Sequence, residues 1–197
     1  LIKIISPEQF KHVPWKNGQG STTELAINDG GNVDSFKWRL SIASVIKNGV
    51  FSDFSGYFRN LVLIEGQGIT LEHDQAKTDK LDTLLSIAKF DGTSRTLGLL
   101  KSGPIKDFNI MTNKSCTHAV VETYFEQQIV DIPECDLCFI YCLSGQCTLK
   151  QQNITLPAGH LLKIQAPKVG TLQIEGQKMI IIQIDTKVKC KPHANTV

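Results

Sequence analysis

The stretch Asn60-Leu61-Val62-Leu63-Ile64-Glu65-Gly66-Gln67-Gly68-Ile69-Thr70-Leu71 carries an apolar segment into a glycine turn and back out to a Thr-Leu ending. Leu137-Cys138-Phe139-Ile140-Tyr141-Cys142-Leu143-Ser144-Gly145-Gln146-Cys147-Thr148-Leu149 echoes that rhythm in the second half of the chain. Short apolar runs bounded by glycine read as strands, and glycine serves the turn because it takes positive φ at little steric cost. Working outward, further β-type runs lie at Phe36 to Ile46, Ser94 to Leu100, Thr117 to Phe125 and Lys178 to Ile184. Between them stand the turn sequences Asn28-Asp29-Gly30-Gly31, Asn48-Gly49, Asp91-Gly92 and Glu175-Gly176. This spacing predicts an all-β protein with little helix. Gln75 to Lys89 is the best helical stretch, and its Thr and Asp content allows it one turn at most.

Following the second copy, Asn153-Ile154-Thr155-Leu156-Pro157-Ala158-Gly159-His160 resembles the Pro-x-Gly turn of a cupin barrel's second motif. Repeated short strand pairs suit jelly-roll barrels of that type. Two such barrels, a bicupin, fit in 197 residues, with a boundary near Met111 to Ser115, and one irregular sandwich is the alternative. The expected units are residues 1–112 and 113–197.

The 21 basic and 19 acidic side chains leave a net charge of +2, too weak a field to attract nucleic acid broadly. No apolar run approaches the ~20 residues that would cross a bilayer as a helix, so no membrane partner is expected. The start, Leu1-Ile2-Lys3-Ile4-Ile5-Ser6-Pro7-Glu8, does not read as a secretory signal. A cytoplasmic location is expected, with the six cysteines as reduced thiols. Arg39, Arg59 and Arg95 are the only arginines in a chain rich in lysine, which makes their positions informative.

The phosphate loop, the Gly-x-Gly-x-x-Gly fingerprint and the Gly-x-Ser-x-Gly elbow are all missing, so nucleotide-driven and serine-hydrolase chemistry lose their usual support. Metal-binding cupins use a His-x-His pair, a Glu and a later His. Here His12, His73, His118, His160 and His193 stand far apart, and Gly56-Tyr57-Phe58-Arg59 occupies the place of the pair. An arginine cannot ligate a metal ion, so neither a metal nor a cofactor is expected. Cys135-Asp136-Leu137-Cys138 is a lone Cys-x-x-Cys within an apolar strand and reads as core packing.

Polar residues placed for geometry gather in the first half. In Trp15-Lys16-Asn17-Gly18-Gln19-Gly20-Ser21-Thr22-Thr23-Glu24-Leu25 a glycine loop enters a strand, and a period of two puts Thr22 and Glu24 on one face. In the strand from Phe36 to Ala43, Trp38, Leu40 and Ile42 share one side, and Arg39, Ser41 and Ala43 share the other. Small neighbours leave room beside the Arg39 guanidinium. It either grips a carboxylate through two parallel hydrogen bonds or closes the barrel by pairing with Glu24, and spacing favours neither reading.

At these residues the chain resembles the HutD/Ves family of bicupin proteins. The matching blocks are Trp15-Lys16-Asn17-Gly18-x-Gly20-x-Thr22-x-Glu24, Trp38-Arg39-x-Ser41-x-Ala43, Asn48-Gly49-x-Phe51-Ser52-x-Phe54, Gly56-x-x-Arg59 and Asp107-Phe108-Asn109-Ile110-Met111. Ser55 departs from the family, which commonly has Pro before that Gly. The resemblance implies two β-barrels, no catalytic metal, and a pocket in the first barrel. Carried over by motif, the pocket residues are Asn17, Thr22, Glu24, Trp38, Arg39, Ser41, Arg59, Phe108 and Asn109.

Members of the family encoded with histidine-degradation genes are thought to moderate that pathway by binding an intermediate such as formylglutamate; others are named for induction under stress. The expected function is therefore regulation through a small acidic metabolite, with Arg39 and Arg59 as carboxylate grips, Asn17 and Asn109 as amide readers, and Trp38 and Phe108 as apolar walls or packing. Trp15, Trp38 and Phe108 also read as core, and Asp107 as a turn cap. The alternative is a metal-independent enzyme acting on a small acid with Glu24 as base, and the balance leans away from catalysis. A homodimer is the expected oligomer.

Overall fold

Runs that alternate or saturate in Val, Ile, Leu and Phe become strands here, and their two faces are used differently. In the computed structural model, which describes residues 1–15, 20–168 and 170–186, nineteen strands are found. They are β1 (Ile2–Ile5), β2 (Lys11–Pro14), β3 (Gly20–Ile27), β4 (Trp38–Val45), β5 (Gly49–Val50), β6 (Tyr57–Glu65), β7 (Ile69–His73), β8 (Lys77–Leu81), β9 (Ile87–Asp91), β10 (Thr96–Leu100) and β11 (Ile105–Asn113). The second half contributes β12 (Thr117–Tyr124), β13 (Gln128–Asp131), β14 (Leu137–Cys142), β15 (Gln146–Leu149), β16 (Ile154–Pro157), β17 (Leu161–Gln165), β18 (Gln173–Gly176) and β19 (Met179–Thr186). Helix is confined to the single turns Pro7–Gln9 and Lys150–Gln152 among the described residues, and none is long and apolar enough to cross a membrane.

All pairings between these strands are antiparallel, and they form four sheets. Their orders are β2-β3-β4-β11-β6-β9, β5-β10-β7-β8, β1-β17-β14-β19-β12 and β13-β18-β15-β16. One pairing pattern occurs twice: β4 to β11 are connected as β12 to β19 are, so that β11-β6-β9 beside β4 mirrors β19-β14-β17 beside β12. Three apolar layers separate the four sheets. Leu61, Leu63, Leu71 and Phe90 fill the first, between the six-stranded sheet and the β5-β10-β7-β8 sheet. Trp38, Leu40 and Phe108 meet Phe139, Tyr141 and Ile182 in the middle layer, which joins the two halves. Cys138, Ile140, Leu156 and Ile181 belong to the third.

Gln75 to Lys89, allowed one helical turn at most, holds none: β8, a turn and the start of β9 occupy it, because Leu71, Leu81 and Phe90 all serve one apolar layer. The two echoing segments are corners rather than paired hairpins, since β6 and β7 lie in different sheets, as do β14 and β15. Gly66 (φ 102°) and Gly68 (φ 124°) make the first corner, and a Cβ on Gly66 would stand 2.7 Å from the Pro104 carbonyl oxygen. The expected 112/113 boundary falls at the last residue of β11, and β1 pairs with β17, from Ile2 opposite Ile164 to Ile5 opposite Leu161. The N-terminal strand therefore completes a sheet of the second half.

Candidate functional site

Alternation sorts the six-stranded sheet into an apolar face and a polar one. On β11, Phe108 and Ile110 turn toward the middle core layer, while Asn109 and Met111 line a cavity of about 730 Å³ on the opposite side. On β4, Arg39, Ser41, Ala43 and Val45 line the same cavity, and β3 adds Thr22 and Glu24. Lys11, Val13 and Trp15 border it at one side, and Lys47, Val50, Phe51 and Phe54 at another. Its size suits a small metabolite.

Six of the nine residues expected at the site converge on this cavity: Thr22, Glu24, Arg39, Ser41, Arg59 and Asn109. Asn17 lies outside the described residues. Trp38 and Phe108 do not line the cavity. They point from the other face of the sheet into the middle core layer, with Trp38 5.1 Å from Phe139 and Phe108 5.0 Å from Tyr141, ring centre to ring centre. Strand alternation requires this once Arg39 and Asn109 face the cavity. Arg95, the third arginine, is exposed before β10 and takes no part.

Arg39 is 8% exposed, and its Nε donates to Glu24 Oε2 at 2.7 Å. Between the two readings left open by spacing, the ion pair is the one present. Arg59 is set differently. Only 5% exposed, it donates from Nη2 to Asn109 Oδ1 at 2.8 Å, while its Nε has no hydrogen-bond partner. Its guanidinium carbon stands 5.4, 5.5 and 5.1 Å from the ring centres of Phe51, Phe54 and Phe90. Aromatic faces attract a cation without using its N–H groups, so the side chain is held while hydrogen-bonding capacity remains. Burial lowers the Arg59 pKa to about 10, and attraction from Asp107 opposes that shift. The guanidinium therefore stays charged at neutral pH.

Behind Asn109 lies Asp107, fully buried in mid-strand and not the turn cap expected. Asn109 Nδ2 donates to Asp107 Oδ1, and Asp107 Oδ2 has no partner. Burial pushes this carboxyl up to about 7, with Arg59 and the Asn109 hydrogen bond pulling the other way. Trp15, read as core, packs against the first apolar layer and also borders the cavity, donating from Nε1 to Thr22 Oγ1 at 2.8 Å. Phe51 and Phe54 were also missed as site residues. The sequence signal was present in the block Asn48-Gly49-x-Phe51-Ser52-x-Phe54, but only the tertiary fold shows which side chain those rings enclose.

Among the described residues, no three His, Cys, Asp or Glu side chains come together to hold a metal ion. The donor set at the cavity does not fit one, because its most buried charged groups are guanidiniums. The arrangement can instead bind an anion through Arg59, with Lys11 and Lys47 near the mouth.

Antiparallel sheets with almost no helix, around a cavity of this kind, define a cupin-like all-β protein. A family model described as HutD matches residues 7–182, and the chain belongs to that family. It is 36% identical over 110 residues to an uncharacterized 21.2 kDa protein in the hutC 3′ region of Pseudomonas putida, covering 56% of this chain and 57% of that one. To the protein Ves of Escherichia fergusonii it is 39% identical over 104 residues, covering 52% and 53% respectively. In these alignments the chain spans about half the length of the curated relatives it matches. The solved structure of HutD from Pseudomonas fluorescens SBW25 superimposes with a TM-score of 0.84 at 26% identity, covering 95% of this chain and 100% of that one.

Proposed function

We propose that the chain binds a small acidic metabolite in the first-half cavity and acts as a regulator, linked to histidine utilisation or to a stress response. One observation carries this reading: Arg59 is buried on the cavity wall, ringed by aromatics and unpartnered at Nε. A guanidinium on that wall offers a carboxylate the Nη N–H groups that Asn109 does not use, in a setting of low dielectric. Arg39 is already engaged by Glu24, so it acts second, through its Nη groups. The same pair weighs against Glu24 as base, because the oxygen nearest the cavity arginine is already occupied by that hydrogen bond. The position of the Pseudomonas putida relative in the hutC 3′ region supports the link to histidine utilisation.

The duplicated strand order supports reading the molecule as two cupin-like barrels, one from residues 6–112 and one from 113–186 with β1 added. Register then explains why the site lies in the first. With Gly66 and Gly145 as equivalent corners, Arg59 corresponds to Cys138, Asn109 to Ile181, Asp107 to Met179 and Arg39 to Val120. At these four positions the second half carries neither charge nor amide, while Ser41 and Met111 correspond to Glu122 and Gln183.

Calorimetry with formylglutamate, urocanate, histidine, glutamate and glutarate tests the proposal. At least one carboxylate is expected to bind more tightly than millimolar, and Arg59→Ala is expected to abolish that signal. Millimolar or weaker binding throughout, or tight binding unchanged in both Arg59→Ala and Arg39→Ala, would refute it.

A further inference from the structure

The cavity reading leaves one buried ionisable group without a task. Asp107, Asn109 and Arg59 form a carboxyl–amide–guanidinium chain leading from the sandwich interior to the cavity, and of the three Asp107 alone does not line it. Each end of the chain keeps one unpartnered atom, Asp107 Oδ2 and Arg59 Nε. A brace evolved only for rigidity would pair both, since an orphaned buried polar atom costs stability.

We propose that Asp107 takes up a proton when a carboxylate docks on Arg59, so that the site binds an acidic ligand and a proton together. The inference rests on the cavity being a carboxylate site. Asp107 sits across from Ala43 on β4 and Leu63 on β6, and Arg59 supplies the favourable charge that offsets its burial. An incoming carboxylate shares that positive charge, and the support for an ionised Asp107 falls. Oδ2 then accepts a proton from solvent, while Oδ1 continues to accept from Asn109, so no hydrogen bond of the chain breaks.

Of the other charged groups on this side of the sheet, Lys11 and Lys47 lie at the cavity mouth and the rest are already matched. Arg39 of β4 pairs with Glu24 of β3, and His73 of β7 bonds Asp79 of β8 and Thr96 of β10. Lys106, adjacent on β11, bonds Glu65 on the surface. Phe90 of β9 places an uncharged ring between His73 and Arg59, with ring centres 4.6 Å from the imidazole and 5.1 Å from the guanidinium carbon.

The test is calorimetry of the full chain with glutarate and formylglutamate at pH 5.5 and 7.5, each in two buffers of different ionisation enthalpy. Uptake of roughly half to one proton is expected at pH 7.5 and little at pH 5.5, with affinity falling toward tenfold per pH unit above neutrality. Asp107→Asn, a neutral isostere of the protonated form, is expected to bind without buffer dependence and equally well at both pH values. His73→Gln is expected to retain the uptake. Arg59-dependent binding with no proton uptake in the wild type would overturn the coupling and leave the carboxylate site standing. Uptake that persists in Asp107→Asn would overturn it as well. Failure of both probes to bind would overturn the coupling together with the site reading. Should Asp107→Asn not fold, the wild-type buffer comparison and His73→Gln still decide.

Discussion

Two aromatic residues show what period-two reasoning can and cannot read at a single position. Trp38 and Phe108 belong to the same motif blocks as Arg39 and Asn109, so resemblance placed all four at the site, while alternation separates them onto opposite faces. Phe108 is fully buried against Tyr141 in the layer between the halves. Phe108→Ala is expected to cost about 3–5 kcal/mol of stability, the range for a large core truncation. Denaturant melts would measure it, and the binding constant of the folded fraction should change little by comparison. Thr22, Glu24, Arg39 and Ser41 were legible because strand faces follow directly from sequence. Asp107 was not, because nothing local distinguishes an aspartate that caps a turn from one buried in mid-strand beside an amide and a guanidinium.

Elements were legible in kind and less so in connection. The runs around β4, β6, β10, β12, β14 and β19 appear as expected, since saturated apolar stretches bounded by glycine have few other uses. Whether a glycine turn closes a hairpin or carries the chain to the next sheet depends on partners far away in sequence. β6 pairs with β9 and β11, so the corner after it delivers β7 to the facing sheet, beside β10. That arrangement ties the cavity to Gly98 on β10, where an added Cβ would stand 2.6 Å from Phe51 Cε1. Gly98→Ala therefore displaces the Phe51 ring from its place over Arg59 without touching the guanidinium. One cation–π contact is worth about 0.5–1 kcal/mol, so carboxylate affinity should fall roughly two- to fivefold. Calorimetry on the variant checks this, with its melting curve showing that the fold persists.

For the whole molecule, two couplings matter: one to pH and one between the halves. An unfolded Asp107 ionises in the ordinary aspartate range, whereas the buried group holds its proton up to about 7. Folding thus retains a proton across that window, and the stability it contributes is complete at low pH and lost as pH rises through about 7. Asp107→Asn is expected to melt above the wild type at pH 8, with the two converging near pH 4. The second coupling concerns the layer in which Trp38, Leu40, Val62 and Phe108 meet Phe139, Tyr141, Leu161 and Ile182. Uncovering the first four alone would forfeit about 1.5–3 kcal/mol each, a sum comparable to the 5–15 kcal/mol that holds an ordinary domain folded. Duplicated topology therefore does not make two independent folding units. A chain cut after residue 112 is expected to give broad, poorly dispersed amide resonances and no cooperative melt, whereas the intact chain should lose both halves in one transition. Two separate transitions, each reported by a probe in one half, would show that the shared layer is dispensable.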